Sequence, residues 1–412
     1  MGGPEVFALR AHRATTHHLA SAYLGMAGAP SSQFGTALGL EAASGALFCF
    51  DPFALYAQGI LTNPNLLILG QVGAGKSTLA KILCWSGAGL SARHVAVLDP
   101  KGEYGALGEV CGFTHLRLVP GGDCRLDPLD ITGPNVSHRR GEIVSALAAS
   151  VLGRELSATE RAVVTLAGET AEVSSGLVGV IDLVLSPTPA MATELRAGAR
   201  QLAEGAREAG LELRRLVRGD LAGLFDGPST VRLDPAGPGV VLDLSALYSN
   251  PAVLGPTMVA AGAWLTETMA RSARQHVLVL DETWAVLSDP GVGRWLRSTM
   301  KLARSLGASV VLVTHTLGDF AAVGAAGSEA ARLAGALVAD TASRAILAQP
   351  DAAVSDAVTT LGLGTEEALV LPRLGRGRAI WHVGTRQPVL VNHWVPPGLA
   401  APLDTDARMA LR

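Results

Sequence analysis

Five short segments of the chain are apolar almost without interruption: LLILG (66–70), VAVLDP (95–100), VVLDLS (240–245), HVLVLD (276–281) and SVVLVTH (309–315). A strand with one wet face alternates apolar and polar residues. A strand covered on both faces reads instead as a continuous apolar run. Helix-forming stretches separate these runs, beginning with STLAKILCWSGAG after the first. The pattern predicts an α/β fold with a mainly parallel central sheet and helices on both of its faces.

Between about 135 and 225 the period becomes helical. LSATERAVVTLAGETA opens with Ser157 and Glu160 at capping-box spacing, and TELRAGARQLAEGAREAGLELRRLVRGDLAGLF mixes charges along a helical repeat. This predicts an all-helical insertion. The Arg residues at 196, 200, 207, 214, 215 and 218 are interleaved with Glu194, Glu204, Glu208 and Glu212, which reads as pairs along helix surfaces rather than as a continuous basic face. From about 365, VLPRLGRGRAIWHVGTRQPVLVNHW alternates and carries turn signals, as short antiparallel strands do. The apolar stretch PAVLGPTMVAAGAWL (251–265) is shorter than the roughly 20 residues that cross a bilayer, so it predicts a buried helix.

Composition narrows the function classes. Apolar residues at 49% supply a large core, and charged residues at 17% argue against wholesale disorder. A formal charge of −3 gives no global basic field for sequence-independent nucleic-acid binding. Cys49, Cys84, Cys111 and Cys124 form no C-x-x-C pair, which suits a reduced, cytoplasmic interior. The opening residues lack the apolar core of a secretory signal.

The chemistry begins at GQVGAGKST (70–78), which fits G-x-x-x-x-G-K-[ST] between a strand and a helix. Gly70, Gln71, Val72, Gly73, Ala74 and Gly75 would wrap backbone N–H groups around a phosphate, with Lys76 bridging the outer phosphates. Ser77 would ligate Mg²⁺ through its hydroxyl, backed by Thr78. HVLVLD ends in two acids, Asp281 and Glu282. Two adjacent acids serve two tasks: Asp281 holds the metal and Glu282 polarises the attacking water. Asp99 is the weaker candidate for the metal acid, because Pro100 and Lys101 follow it. His315, at the end of SVVLVTH, is the expected sensor beside the terminal phosphate, on an extra strand between the P-loop strand and the strand of the paired acids. Arg304 in KLARSLG is the candidate arginine finger for its own or a neighbouring subunit, with Arg344 as the rival. These residues imply a Mg-dependent ATPase with ATP and Mg²⁺ as cofactors. An ABC-type ATPase is excluded because PTMVAAGAWLTETMARSARQ, upstream of the paired acids, contains no LSGGQ-like signature.

These motifs resemble a family. VAVLDPKGEY is similar to the D-P-K-G-E-Y block of the HerA–FtsK superfamily of ring ATPases, and LVLDETWAVL followed by KLARSLGASVVLVTHTLGDF resembles its type IV secretion branch, which powers conjugative transfer. CRLDPLD (124–130) and LFDG followed by VVLDLSAL add to the likeness. The family usually has Arg-Lys where this chain has Arg304-Ser305, and Thr-Gln where it has Thr314-His315. The resemblance implies a RecA-like P-loop fold and a homo-hexamer with ATP between subunits. It also implies channel components as partners, DNA or a relaxase as candidate substrate, and peripheral attachment to the inner face of the membrane through those partners. The alternative is a DNA-translocating ring ATPase, either a coupling protein or an FtsK/HerA-like pump. The expected organisation is an N-terminal segment (1–60), the first half of the ATPase domain (61–134), the helical insertion (135–225), the second half (226–395) and an irregular tail (396–412). Longer family members carry a large docking domain ahead of the P-loop, so the expectation is either that a separate chain supplies docking or that this protein works differently from those members.

Overall fold

The computed structural model describes residues 35–131, 135–219, 221–231, 234, 236–282, 289–315 and 335–403. Trp284, which follows the paired acids, and residues 316–320 of the next motif lie outside the described residues, as do 404–412 of the tail. The strands are β1 (Thr36–Glu41), β2 (Leu47–Phe50), β3 (Leu66–Leu69), β4 (His94–Asp99), β5 (Thr114–Arg117), β6 (Gly239–Asp243), β7 (His276–Leu280), β8 (Ala308–Thr314), β9 (Ser343–Ile346), β10 (Arg378–Val383) and β11 (Val389–His393). They form one sheet in the order β2-β1-β11-β10-β9-β3-β8-β7-β4-β6-β5.

The sheet has two parts. From β9 to β5 every neighbouring pair is parallel. Here β3, β4, β6, β7 and β8 are buried along their whole length, as their uninterrupted apolar runs require. From β9 to β2 the pairs are antiparallel, and the burial of β1, β2 and β11 is broken by wetter positions. The first and last described strands thus share one antiparallel extension, with β1 paired to β11. Trp381 of β10 anchors it, its ring centroid 5.0 Å from that of Phe48 and 4.8 Å from that of Phe50.

Helix α1 (Lys76–Trp85) follows β3, and α2 (Val136–Leu152), α3 (Ala158–Thr170), α4 (Gly176–Leu185) and α5 (Ala199–Arg218) make a helical layer between β5 and β6. The α3 start carries the capping box: Ser157 Oγ accepts from the Glu160 N–H at 3.3 Å, and the Glu160 carboxylate accepts from the Ser157 N–H at 2.8 Å. Helix α5 buries Leu202, Ala206, Ala209, Leu213 and Leu216, spaced three or four apart, while its other face is wet. Helix α6 (Pro251–Ala270) covers the apolar stretch read as a buried helix. Among the described residues no helix is long and apolar enough to cross a membrane. Past 396, where an irregular tail was expected, a 3₁₀ turn at Pro397–Leu399 runs into a one-turn helix at Ala400–Leu403.

Candidate nucleotide site

In a parallel sheet, ligands bind beyond the carboxyl ends of the strands. Register brings three such ends together: Leu69 of β3 faces Thr314 of β8, and Leu280 of β7 faces Leu312 of β8. Gly70, His315 and Asp281 therefore emerge side by side. The strand carrying His315 lies between the P-loop strand and the strand of the paired acids.

The loop 70–75 is bent by Gly73 and Gly75, whose φ angles of 79° and 105° lie where side chains are disfavoured. It is braced from outside. The Gly70 N–H donates to Thr314 O at 3.3 Å, the Gln71 N–H to Ala348 O at 2.7 Å, and the Gly377 N–H to Ala74 O at 3.0 Å. Val72 at the loop tip is exposed. The first turn of α1 has Gly75 as N-cap and no side-chain cap. Its N–H groups are thus free of any capping side chain, and an anion suits them.

Lys76 is buried. Its Nζ donates to Gln71 O at 3.0 Å and lies 2.9 Å from His315 Nδ1. Burial lowers its pKa to about 8 against the opposing pull of Glu282 and Asp281. On the other side of the imidazole, His315 Nε2 stands 2.9 Å and 3.1 Å from the two Glu282 oxygens. Lysine can only donate, so Nδ1 accepts and the proton sits on Nε2, where it is donated to Glu282. Lys101 holds Glu282 Oε1 from the far side. Burial by itself would raise Glu282, but the bonds from His315 and Lys101 outweigh it and hold the carboxyl at about 2. The Glu282 backbone is left-handed, with φ 53°, a conformation costly for a non-glycine residue.

Asp281 is buried beside it. Its carboxylate accepts from Tyr104 Oη at 2.8 Å, and the Ser77 hydroxyl is near enough to favour its charged form. Burial raises its pKa. A hydroxyl and a carboxylate are the hard oxygen donors that Mg²⁺ takes, so Ser77 and Asp281 fit that ion. Thr78 is half-buried in the first turn of α1.

Asp99 has a different task. Its Oδ1 accepts from the N–H groups of Gly102 at 2.9 Å and Glu103 at 3.1 Å, and its Oδ2 from that of Tyr104 at 2.8 Å. That turn projects Lys101 onto Glu282 and Tyr104 onto Asp281. Reading single residues missed Lys101 and Tyr104 as site residues. The available signal was a strand end followed by Pro-Lys-Gly-Glu-Tyr on a strand adjacent to that of the paired acids.

Neither candidate arginine joins this cluster. Arg304 is exposed, ahead of the amino end of β8. The seven residues of that strand, at about 3.3 Å each, put it roughly 23 Å from His315. The part of the expectation that has it serving its own subunit's nucleotide is therefore corrected. Arg344 lies within β9, opposite Leu67, and donates to Leu361 O at 3.2 Å, with its pKa lowered by burial.

With this geometry in view, residues 55–173 match the family model of the helicase HerA central domain. The fold is similar to that of VirB4 of Thermoanaerobacter pseudethanolicus, with a TM-score of 0.72 and 21% identity over 90% of this chain and 98% of that one. The chain thus shares the RecA-like α/β fold of that protein, and its HerA-type match is confined to residues 55–173. The plasmid coupling protein TrwB, in its complex with ADP and Mg²⁺, is similar in fold, with a TM-score of 0.61 and 16% identity over 90% of this chain and 96% of that one. A stretch of 106 residues is 34% identical to the type IV secretion system protein CagE of Helicobacter pylori, covering 26% of this chain and 11% of that protein.

Proposed function

We propose that the chain is the Mg²⁺-dependent, ATP-hydrolysing motor of a type IV secretion or conjugation apparatus. It works as a cytoplasmic homo-hexamer held at the inner face of the membrane by channel components, with DNA or a relaxase as candidate cargo. The observation that carries this reading is the path from Lys76 through His315 to Glu282, set beside Ser77 and Asp281. TrwB, similar in fold, is known in complexes with ADP and Mg²⁺ and with a non-hydrolysable ATP analogue, which supports the choice of ligands.

MgATP, when bound, supplies the scissile anhydride and a cation that shields its charge. Lys76 leaves Gln71 O and His315 for the phosphates. Nε2–H of His315 would still orient Glu282. Glu282, ionised at neutral pH, accepts the proton of the attacking water. Ser77 and Asp281 would hold the Mg²⁺. Arg304 is assigned to a neighbouring subunit's site. The test is turnover by the wild type beside Lys76→Ala and Glu282→Gln. Glu282→Gln should bind nucleotide and hydrolyse it about 100-fold more slowly or worse. Equal rates would remove the enzymatic reading.

One observation favours the DNA-translocating alternative. In the helical layer, Glu204, Glu208 and Glu212 pair with Arg200, Arg154 and Arg215. Arg207, Arg214 and Arg218 stay exposed on α5 with no ion-pair partner among the described residues. DNA affinity measured against salt separates the readings: three phosphate contacts predict a slope of about −2 to −3 in log K against log[salt].

A further inference from the structure

We propose that Gly377 and His393 form a clamp that aims the Gly75 N–H into the phosphate site, which makes His393 a positioning residue for nucleotide binding. The inference rests on the nucleotide reading above. It begins at a contact between elements far apart in sequence. The Gly377 N–H donates to Ala74 O at 3.0 Å, and a Cβ built on Gly75 would lie 3.4 Å from Gly377 N. A trans peptide is planar, so its C=O and N–H point in opposite directions. Holding Ala74 O outward against Gly377 therefore turns the Gly75 N–H inward, toward the side where the loop would wrap a phosphate.

Gly377 is itself held. Its φ is 77°, so its peptide orientation depends on lacking a side chain. Its carbonyl oxygen accepts twice from His393, from the backbone N–H at 2.9 Å and from Nδ1 at 3.1 Å. The proton must be on Nδ1, because Nε2 accepts from the Trp381 indole N–H at 2.9 Å. Burial lowers the His393 pKa to about 4, so the ring is neutral at neutral pH and carries one proton, at the position the clamp uses. Trp381 is packed on Phe48 and Phe50, so the chain of bonds is anchored in the core of the antiparallel extension. The relay runs Trp381, His393, Gly377, Ala74, and its last effect falls on the Gly75 N–H.

The experiment is titration of a fluorescent ADP with Mg²⁺ into wild type, His393→Leu, His393→Asn and Trp381→Phe, each with a thermal melt of the nucleotide-free protein. Leu removes the side-chain donor. Asn puts an amide N–H where Nδ1–H stands. The expected result is an affinity about tenfold weaker for His393→Leu, within about threefold of wild type for His393→Asn, and weakened in the same direction for Trp381→Phe. The ¹⁵N shifts of wild-type His393 should report the Nδ1–H form. A folded His393→Leu protein that binds ADP as wild type does would overturn the clamp, as would an Nε2–H tautomer. If His393→Leu does not fold, an unchanged affinity in Trp381→Phe overturns it equally. Wild-type protein that binds no ADP would instead sink the nucleotide reading itself, a result distinct from failure of the clamp alone.

Discussion

His315 Nε2 lies 2.9 Å from Glu282 Oε2, while the Nδ1 of the same ring lies 2.9 Å from Lys76 Nζ. One imidazole thus spans the lysine of the glycine-rich loop and the second of the paired acids. Glu282 is clasped from both sides, by His315 and by Lys101, while Lys76 is turned onto His315 and Gln71 O. The groups that hydrolysis would need are satisfied by one another in this arrangement. An arriving nucleotide has to exchange those bonds for its own, which ties the freeing of Lys76 to occupancy of the loop.

His315→Ala should lower turnover about 100-fold while changing ADP affinity by no more than a few-fold, because the imidazole orients Glu282 rather than gripping phosphate. His315→Gln keeps one donor and one acceptor and should recover part of the rate. Steady-state hydrolysis with a parallel nucleotide titration separates the two effects. Equal loss of affinity and rate in His315→Ala would count against the orienting role.

Tyr104→Phe removes the hydroxyl that donates to Asp281 Oδ2 at 2.8 Å and leaves a buried carboxylate oxygen without that donor. The cost should be about 1–3 kcal/mol of stability. A carboxylate no longer held in place should also show a several-fold higher Mg²⁺ requirement for turnover. Urea denaturation and a magnesium titration check the two parts. An unchanged magnesium dependence would leave Tyr104 with a packing role only.

Much of this site is local and so can be read from the chain. The glycine loop, Lys76 and Ser77 lie within nine consecutive residues, and the paired acids close an apolar run whose two-face burial is written in its composition. The sheet order was expected only through family likeness. Lys101 and Tyr104 escaped because their partners lie 181 and 177 residues away, and no local pattern encodes a contact of that span. The clamp at Gly377 escaped for the same reason. Arg304 is a different case. It precedes β8, and in a parallel strand whatever precedes the run lies at the edge opposite to whatever follows it. That geometric rule, applied to the apolar run 309–315, is enough to separate Arg304 from His315.

Gly168→Ala tests the helical layer independently of any nucleotide chemistry. A Cβ on Gly168 would come 2.9 Å from Gly141 Cα and 3.0 Å from Arg140 O, both backbone atoms of α2. Helices α2 and α3 cannot keep their present approach with that methyl in place. Overpacking of this kind should cost about 1–3 kcal/mol, read as a lower urea midpoint at unchanged slope. A neutral result would mean that the two helices separate more easily than their contact suggests.

His94 and His276 predict the acid side of the stability profile. They sit at the amino ends of adjacent strands β4 and β7, both buried, with ring centroids 5.4 Å apart. Each sits at about 4, chiefly because burial disfavours the charged ring; Arg274 adds to this at His94 against Asp234, and His94 and then Arg274 add to it at His276. In the unfolded chain each returns to about 6.5. Between those values the unfolded state binds more protons than the folded one, so stability is full above about pH 6.5 and is lost as pH falls toward 4. At pH 5 the loss should be about 2 kcal/mol for each ring. Urea denaturation at pH 7.5 and 5.0 measures it, with His276→Phe as the control. The variant should lose less stability between the two pH values than the wild type, by about 2 kcal/mol or somewhat more, because His94 then titrates without a neighbouring imidazolium. Equal losses in the two proteins would show that carboxylates elsewhere, rather than this pair, set the acid limit.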